Sequence, residues 1–82
     1  MPSAPNSILT FVPARDFERS CRFYEALGFL PADDDPDVRF YGRGAAGFLL
    51  QNFYVKKWAD NFMMAMHVED LDDWWAEVQR IV

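Results

Sequence analysis

The pattern of apolar and polar residues predicts short strands and two helices. The clearest strand runs from Phe48 to Val55; it is rich in aromatic and aliphatic residues and contains no Gly or Pro. Because side chains alternate across a strand, Phe48 and Leu50 share one face and Leu49 and Gln51 the other. Both faces are largely apolar, so we predict a central strand covered on both sides. Gln51 is then either a hydrogen-bonded core residue or the polar floor of a pocket.

Two segments have the three-to-four-residue spacing of an amphipathic helix. Asp16 is predicted to cap a helix from Phe17 to Leu27 that ends at Gly28. Asp70 is predicted to cap a second helix, which continues to the end of the sequence. The residues predicted to face the sheet, with Trp75 in the core, are Phe17, Cys21, Tyr24 and Leu27 in the first helix and Leu71, Trp74, Trp75, Val78 and Ile81 in the second.

The remaining predicted elements are shorter. Strands are predicted over residues 7–13, 29–30, 38–41 and 62–68, after a flexible lead of residues 1–6. Residues 56–61, which include Trp58, are predicted to be a linker.

Two local motifs look like ligand-binding sequences but do not fit them. Gly42, Gly44 and Gly47 have the spacing G-x-G-x-x-G, but a strand follows them, whereas the dinucleotide-binding motif leads into a helix. We therefore assign these glycines to a hairpin. The acidic run from Asp33 to Asp37 does not fit a calcium loop. Such a loop needs Gly at its sixth position and Glu at its twelfth, and counted from Asp33 these positions are Val38 and Gly44. It is predicted to be a solvated turn.

Composition sets limits on the class of protein. The chain has 82 residues, 51% of them hydrophobic and 17% aromatic, which fits one small domain with a core and enough aromatic residues for a pocket or an interface. The net charge of −5 disfavours nucleic acid and anionic membranes and is compatible with neutral or cationic ligands. Cys21 has no cysteine partner and lies on the helix stripe, which predicts a small buried hydrophobe. We find no signal peptide and no apolar run of the ~20 residues that span a bilayer, and therefore expect a cytoplasmic protein with no nucleic acid or membrane partner.

A weak internal repeat organises these elements. Asp16 and Asp70, 54 residues apart, each follow an apolar strand and precede an apolar residue that opens a helix. We interpret residues 7–55 as a βαβββ module and residues 62–82 as the strand and helix of a second module. The sequence ends within the second helix without a stop residue, which we interpret as truncation.

The segment from Asp16 to Phe29 resembles the signature D-x-x-x-S-x-x-F-Y-x-x-L-G-F of the vicinal oxygen chelate superfamily. This superfamily includes glyoxalase I, extradiol dioxygenases, fosfomycin-resistance enzymes and bleomycin-resistance proteins. Residues 48–55 and 68–75 are similar to the bacterial glyoxalase/bleomycin-resistance type, and the resemblance covers residues 7–82. It implies an α+β fold of paired βαβββ modules, and says little about the reaction. The last three strands of the second module would be missing here.

The resemblance also implies where a metal would bind. Enzymes of the superfamily hold a divalent cation with His, Gln or Glu from the first and last strands of each module. The first-strand positions are Leu9 and Met63 here, and neither side chain suits a hard cation. The fourth-strand position maps near Gln51, a weak donor, and the remaining position falls in absent sequence. We therefore expect no metal and no other cofactor.

The candidate ligand-binding residues are those that could stack on a small molecule or hydrogen-bond to it. His67 is the only histidine, and it is either a structural hydrogen bonder or a donor on a pocket rim. Trp58 is a better candidate for a stacking wall than Trp75 because it lies outside the helix stripe. The predicted site, in a cleft between the sheets of two modules, consists of Phe11, Gln51, Phe53, Trp58 and His67.

Three functions are compatible with this pattern. The favoured one is a binding protein, similar to bleomycin-resistance proteins, that sequesters a small aromatic or cationic molecule in the cleft without metal. The second is a metal-dependent lyase or dioxygenase whose other ligands come from missing sequence or a partner subunit. The third is an inactive, truncated structural module.

The predicted strand over residues 62–68 also bears on assembly. No later strand in the sequence can pair with it, and unpaired backbone groups invite pairing with another chain. The resemblance adds that modules from two subunits commonly combine. We therefore predict a two-fold homodimer in which the first module lies beside residues 62–68 of the same or the neighbouring chain.

Overall fold

The computed structural model describes residues 2–81, which form a four-stranded sheet with a helix on one face. The elements are β1 (Phe11–Pro13), α1 (Phe17–Ala26), β2 (Leu30–Pro31), β3 (Val38–Arg43), β4 (Ala46–Gln51), α2 (Lys56–Ala59) and α3 (Leu71–Ile81). The sheet order is β1-β4-β3-β2, with β1 parallel to β4 and the other pairs antiparallel. This is the βαβββ module predicted for residues 7–55.

Strand β4 is central, as predicted, with β1 on one side and β3 on the other. Phe48 and Leu50 are buried on the face that α1 covers, whereas Leu49 and Gln51 are half-buried on the opposite face. The strand ends at Gln51, four residues earlier than predicted. The next residue, Asn52, instead donates its backbone N–H to the carbonyl of Asp37 at 2.8 Å.

The two predicted helix caps are confirmed. Asp16 Oδ1 accepts from the backbone N–H of Arg19 at 3.2 Å, and Asp70 Oδ1 accepts from that of Asp73 at 3.1 Å. Both contacts join a carboxylate to the residue three positions later, which supports the interpretation of residues 16 and 70 as equivalent. Gly28 ends α1 with φ +92°, a conformation that glycine adopts without steric cost.

The core lies between α1 and the sheet and is strongly aromatic. The ring of Phe48 lies 4.7 Å from that of Tyr24 and 5.4 Å from that of Phe29, both edge-on. Cys21 is only 3% exposed and belongs to this core, so its prediction as a buried hydrophobe is confirmed. The buried residues are Val12, Ala14, Phe17, Cys21, Leu27, Phe29, Tyr41, Phe48 and Leu50.

The glycine-rich segment is a hairpin, as predicted. Gly44 turns the chain with φ +59°, and β3 and β4 pair on either side of it. The ring of Phe40 covers the other two glycines: a Cβ atom at Gly42 or Gly47 would lie within 2.9 or 2.8 Å of it. These glycines therefore make room for an aromatic ring, and a strand rather than a helix follows them.

The acidic segment is a solvated turn, also as predicted. Asp35 accepts hydrogen bonds from the backbone N–H groups of Asp37 and Val38 at 2.8 and 3.1 Å, and these bonds lower the pKa of its carboxyl group. No three His, Cys, Asp or Glu side chains among residues 2–81 are arranged to hold a metal ion.

Two of the predicted strands are absent over most or all of their length. The strand predicted over residues 7–13 is reduced to the three residues of β1, and residues 62–68, predicted as a strand, form none. The second prediction was wrong because a strand requires a hydrogen-bonded neighbour, and no other described segment pairs with these residues. Residues 56–61, predicted as a linker, contain the short helix α2, which was not predicted.

Helix α3 presents a narrower face to the core than predicted. Trp75 is 60% exposed, so its assignment to the core was wrong, and Leu71 is exposed as well. Trp74, Val78 and Ile81 face the core instead. On this side the guanidinium of Arg43 lies 4.6 Å over the ring of Trp74. No helix of the described chain, α3 included, is long and hydrophobic enough to span a membrane.

Candidate functional site

A mostly apolar cavity of about 750 Å³ opens on the α1 side of the sheet. One wall is α1, the floor is the start of β4, and the outer wall consists of residues 8–10 and 64–67. Val78 of α3 closes one end. Cavities of this size and character are typical of small-molecule sites.

The floor and inner wall are built from aromatic rings. Phe48 and Phe29 lie at the bottom, and Tyr24 and Phe23 contribute rings from consecutive positions of α1, 5.3 Å apart. Burial raises the pKa of the Tyr24 phenol, so its hydroxyl is neutral at physiological pH and can donate one hydrogen bond. This surface suits an apolar or planar molecule that carries few polar groups.

The outer wall is different in kind. Met64 and Met66 are about half exposed, and their unbranched thioether side chains can adapt to a range of shapes. His67 lies beside them and, with Thr10 and Tyr24, supplies the polar side chains of the lining. An imidazole can donate or accept a hydrogen bond at this position.

The structure brings only one of the five predicted site residues to this cavity, namely His67. Phe11 and Gln51 lie on the other face of the sheet, where β1 and β4 pair in register. Phe53 and Trp58 follow β4 in the chain, are exposed, and have ring centroids 6.2 Å apart. The predicted cleft between two sheets, with His67 beside Gln51, is not formed by the single chain because residues 62–68 build no second sheet.

Comparison with known proteins bears on the fold. No protein-family model matches the sequence, and no curated protein matches it. Among solved structures, the chain is similar to a bleomycin resistance determinant encoded on the transposon Tn5, with a TM-score of 0.76 and 23% sequence identity. The chain has the vicinal oxygen chelate fold. The similarity covers 92% of this chain and 64% of the resistance determinant, so the chain spans less than two thirds of that protein.

The vicinal oxygen chelate fold implies a possible metal, and the residues at the ligand positions do not fit one. Leu9 lines the apolar cavity and has no donor atom, Met63 is 91% exposed, and Gln51 lies on the opposite face of the sheet from the cavity. Divalent cations of this fold require nitrogen or oxygen donors that converge on one point. These three positions therefore do not constitute a metal site.

Sequence reasoning missed several residues of the cavity. Phe23 and Tyr24 belong to the motif that identified the fold, but only Tyr24 was considered, and only as a residue of the buried stripe. Met64 and Met66 were noticed only as part of a strand. Three methionines within four residues, from Met63 to Met66, were the available signal, because methionine is frequent on adaptable binding surfaces.

Proposed function

We propose that the chain is a binding protein that sequesters a small aromatic or cationic molecule in the cavity between α1 and residues 64–67, without a metal. The observation that carries this proposal is the cavity itself, whose volume of about 750 Å³ and aromatic floor match small-molecule sites. A net charge of −5 favours neutral or cationic ligands over anionic ones.

The lining favours binding over catalysis. The polar side chains on it, Thr10, Tyr24 and His67, can orient a ligand by hydrogen bonds. Because burial raises the pKa of Tyr24, its hydroxyl is a donor rather than a base at neutral pH. The thiol of Cys21 is buried, with Arg39 Nη1 3.5 Å from its sulfur, and Cys21 does not line the cavity.

We further propose that the working form is a homodimer in the cytoplasm. Cys21 is the only cysteine of the sequence, which fits a compartment where thiols remain reduced. The exposed apolar side chains of residues 63–66 support an assembled form.

Occlusion of the cavity tests the proposed site. Ala46 lies on the same face of β4 as Phe48 and lines the cavity, so Ala46→Phe should fill part of it. The neighbouring Ala45 lies in the exposed turn and does not line it, which makes Ala45→Phe the matched control.

The measurement is a fluorescence titration with Nile red, a neutral probe of apolar sites, followed by calorimetry with bleomycin, because the structural neighbour is a bleomycin resistance determinant. We expect Ala46→Phe to weaken probe binding at least about tenfold, equivalent to ~1.4 kcal/mol, and Ala45→Phe to leave it unchanged. Equal affinity in the two variants would show that the ligand does not use this cavity.

Removal of metal tests the second part of the proposal. Dialysis against EDTA should leave probe and bleomycin affinity unchanged, because the lining has no converging set of metal donors. Loss of binding after dialysis, restored by a divalent cation, would contradict a metal-free site and favour a metal-dependent enzyme.

A further inference from the structure

We propose that Tyr24 sets the ligand specificity of the cavity by donating a hydrogen bond to an acceptor atom on an otherwise apolar, planar and uncharged ligand. The acceptor would be a carbonyl oxygen or an aromatic ring nitrogen. The inference rests on the proposed function, since it concerns the same cavity. It narrows the class of ligand and names the side chain that recognises it.

The first support is the hydroxyl group of Tyr24, which has no partner within the described chain. No group of residues 2–81 accepts a hydrogen bond from it, whereas the fully buried Tyr41 donates to Glu25 Oε2 at 2.8 Å. No unpaired side-chain oxygen or nitrogen of these residues is sealed inside the protein. Because the half-buried Tyr24 lines the cavity, its hydroxyl remains open to a ligand atom there.

The second support is the fixed position of the Tyr24 ring. It packs edge-on against three other rings, with centroid distances of 4.7 Å to Phe48, 5.3 Å to Phe23 and 6.3 Å to Phe29. All four rings belong to the first module, so residues 62–82 are not needed to hold them. A donor that packing already holds in place loses little conformational entropy when a ligand binds, which favours selective recognition.

The third support is the exposure of the other polar side chains in the lining. Thr10 and His67 are exposed, so water competes for their hydrogen bonds. Tyr24 is half-buried among aromatic rings, where a hydrogen bond is stronger and an unpaired donor is more costly. Burial also raises the pKa of its phenol, which keeps the proton on the oxygen at neutral pH. Tyr24 therefore discriminates between ligands more strongly than Thr10 or His67.

The fourth support concerns the charge of the ligand. The residues that line the cavity include no Asp, Glu, Lys or Arg. A charged group placed there would lose hydration without gaining an ion partner, whereas an uncharged acceptor needs only the proton of Tyr24. Within the proposed range of aromatic and cationic ligands, the lining therefore favours uncharged aromatic molecules.

A matched pair of ligands and a matched pair of variants test this inference. Naphthalene and quinoline have the same planar shape and are both uncharged at neutral pH, but only quinoline carries an acceptor, its ring nitrogen. Tyr24→Phe removes the hydroxyl and keeps the ring, and it breaks no hydrogen bond within the described chain. Tyr54→Phe is the control, because Tyr54 is exposed and does not line the cavity.

The affinities are measured by competition with Nile red, whose own affinity is first determined for each variant. In Tyr24→Phe we expect the ratio of quinoline affinity to naphthalene affinity to fall about tenfold, equivalent to ~1.4 kcal/mol. The reason is that the wild-type hydroxyl pairs with the ring nitrogen of quinoline but is left unpaired beside naphthalene. In Tyr54→Phe the ratio should equal that of the wild type.

Nuclear magnetic resonance of isotopically labelled quinoline reports the hydrogen bond itself. The resonance of the bound ring nitrogen should lie further downfield in Tyr24→Phe than in the wild type, because the nitrogen has lost its donor. A change in packing alone would alter both affinities without this effect. The same resonance position in both proteins would show that Tyr24 does not bond to the ligand.

The outcomes separate this inference from the proposed function. If Ala46→Phe weakens Nile red binding while Tyr24→Phe leaves the ratio of the two affinities unchanged, the cavity binds ligands and Tyr24 does not select them. That result would overturn this inference alone. If Nile red, naphthalene and quinoline all fail to bind the wild type, the proposed function is wrong and this inference fails with it.

Discussion

At the scale of single residues, Asp16 and Asp70 define the starts of the two long helices by the same contact. Replacement of either by Ala should lower the free energy of unfolding by about 1 kcal/mol, because one backbone N–H loses its acceptor. Asp16→Asn and Asp70→Asn, which keep a side-chain acceptor, are the matched controls. Urea denaturation monitored by circular dichroism gives the measurement. No change at both alanine variants would contradict the capping roles and weaken the interpretation of the two helices as a repeat.

These caps could be predicted from sequence because the interaction is local. An aspartate, the amide three residues later and an apolar stripe are all visible within one helical segment. The position of Trp75 could not be predicted in the same way. Trp74 and Trp75 both satisfy helical spacing, but only Trp74 packs against the core, where Arg43, which is distant in the sequence, stacks on it. The choice between the two therefore required knowledge of the packing partner of α3.

At the scale of elements, Arg43 joins three parts of the fold. It belongs to β3, its Nη1 donates to the carbonyl of Leu27 at the end of α1 at 2.6 Å, and its guanidinium lies 4.6 Å over Trp74 of α3. A planar guanidinium can donate and stack at the same time, which a lysine ammonium cannot do equally well. Arg43 thus holds α3 against the first module.

Arg43→Lys should therefore loosen α3 while leaving α1 and the sheet in place. We expect amide hydrogen exchange in α3 to accelerate by about twofold to fivefold, consistent with the loss of an interaction worth ~0.5–1 kcal/mol. Arg39→Lys is the matched control, since Arg39 is on the same strand but lies over Phe17 of α1. Equal exchange in α3 for the two variants would show that Arg43 does not anchor it.

The strands show where prediction from sequence reached its limit. The order of elements in the first module and the central position of β4 followed from alternation, turn residues and the Asp16–Phe29 motif. The candidate site did not follow, apart from His67, because the cavity is made by segments that are far apart in the sequence, such as Phe23 and Met64. The status of residues 62–68 depends on a partner strand, and a pattern within the segment cannot specify that partner.

At the scale of the whole molecule, the described chain is more extended than its length requires. Its radius of gyration is 14.0 Å, compared with about 11.7 Å expected for a compact domain of 82 residues. The chain exposes 6774 Å², compared with about 5,100 Å² for a compact globule of 9.6 kDa. The exposed methionine side chains of residues 63–66 are the surface that the proposed homodimer would cover.

Stability should consequently depend on protein concentration. If folding and dimerisation are coupled, a tenfold increase in concentration stabilises the dimer by ~1.4 kcal/mol, or ~0.7 kcal/mol per chain. For a domain of this size, that corresponds to a rise of about 3–6 °C in the midpoint of thermal unfolding. Calorimetry or circular dichroism over a hundredfold range of concentration gives the measurement. If the midpoint is constant across this range, the first module folds and melts independently of any second copy, and the proposed homodimer is wrong.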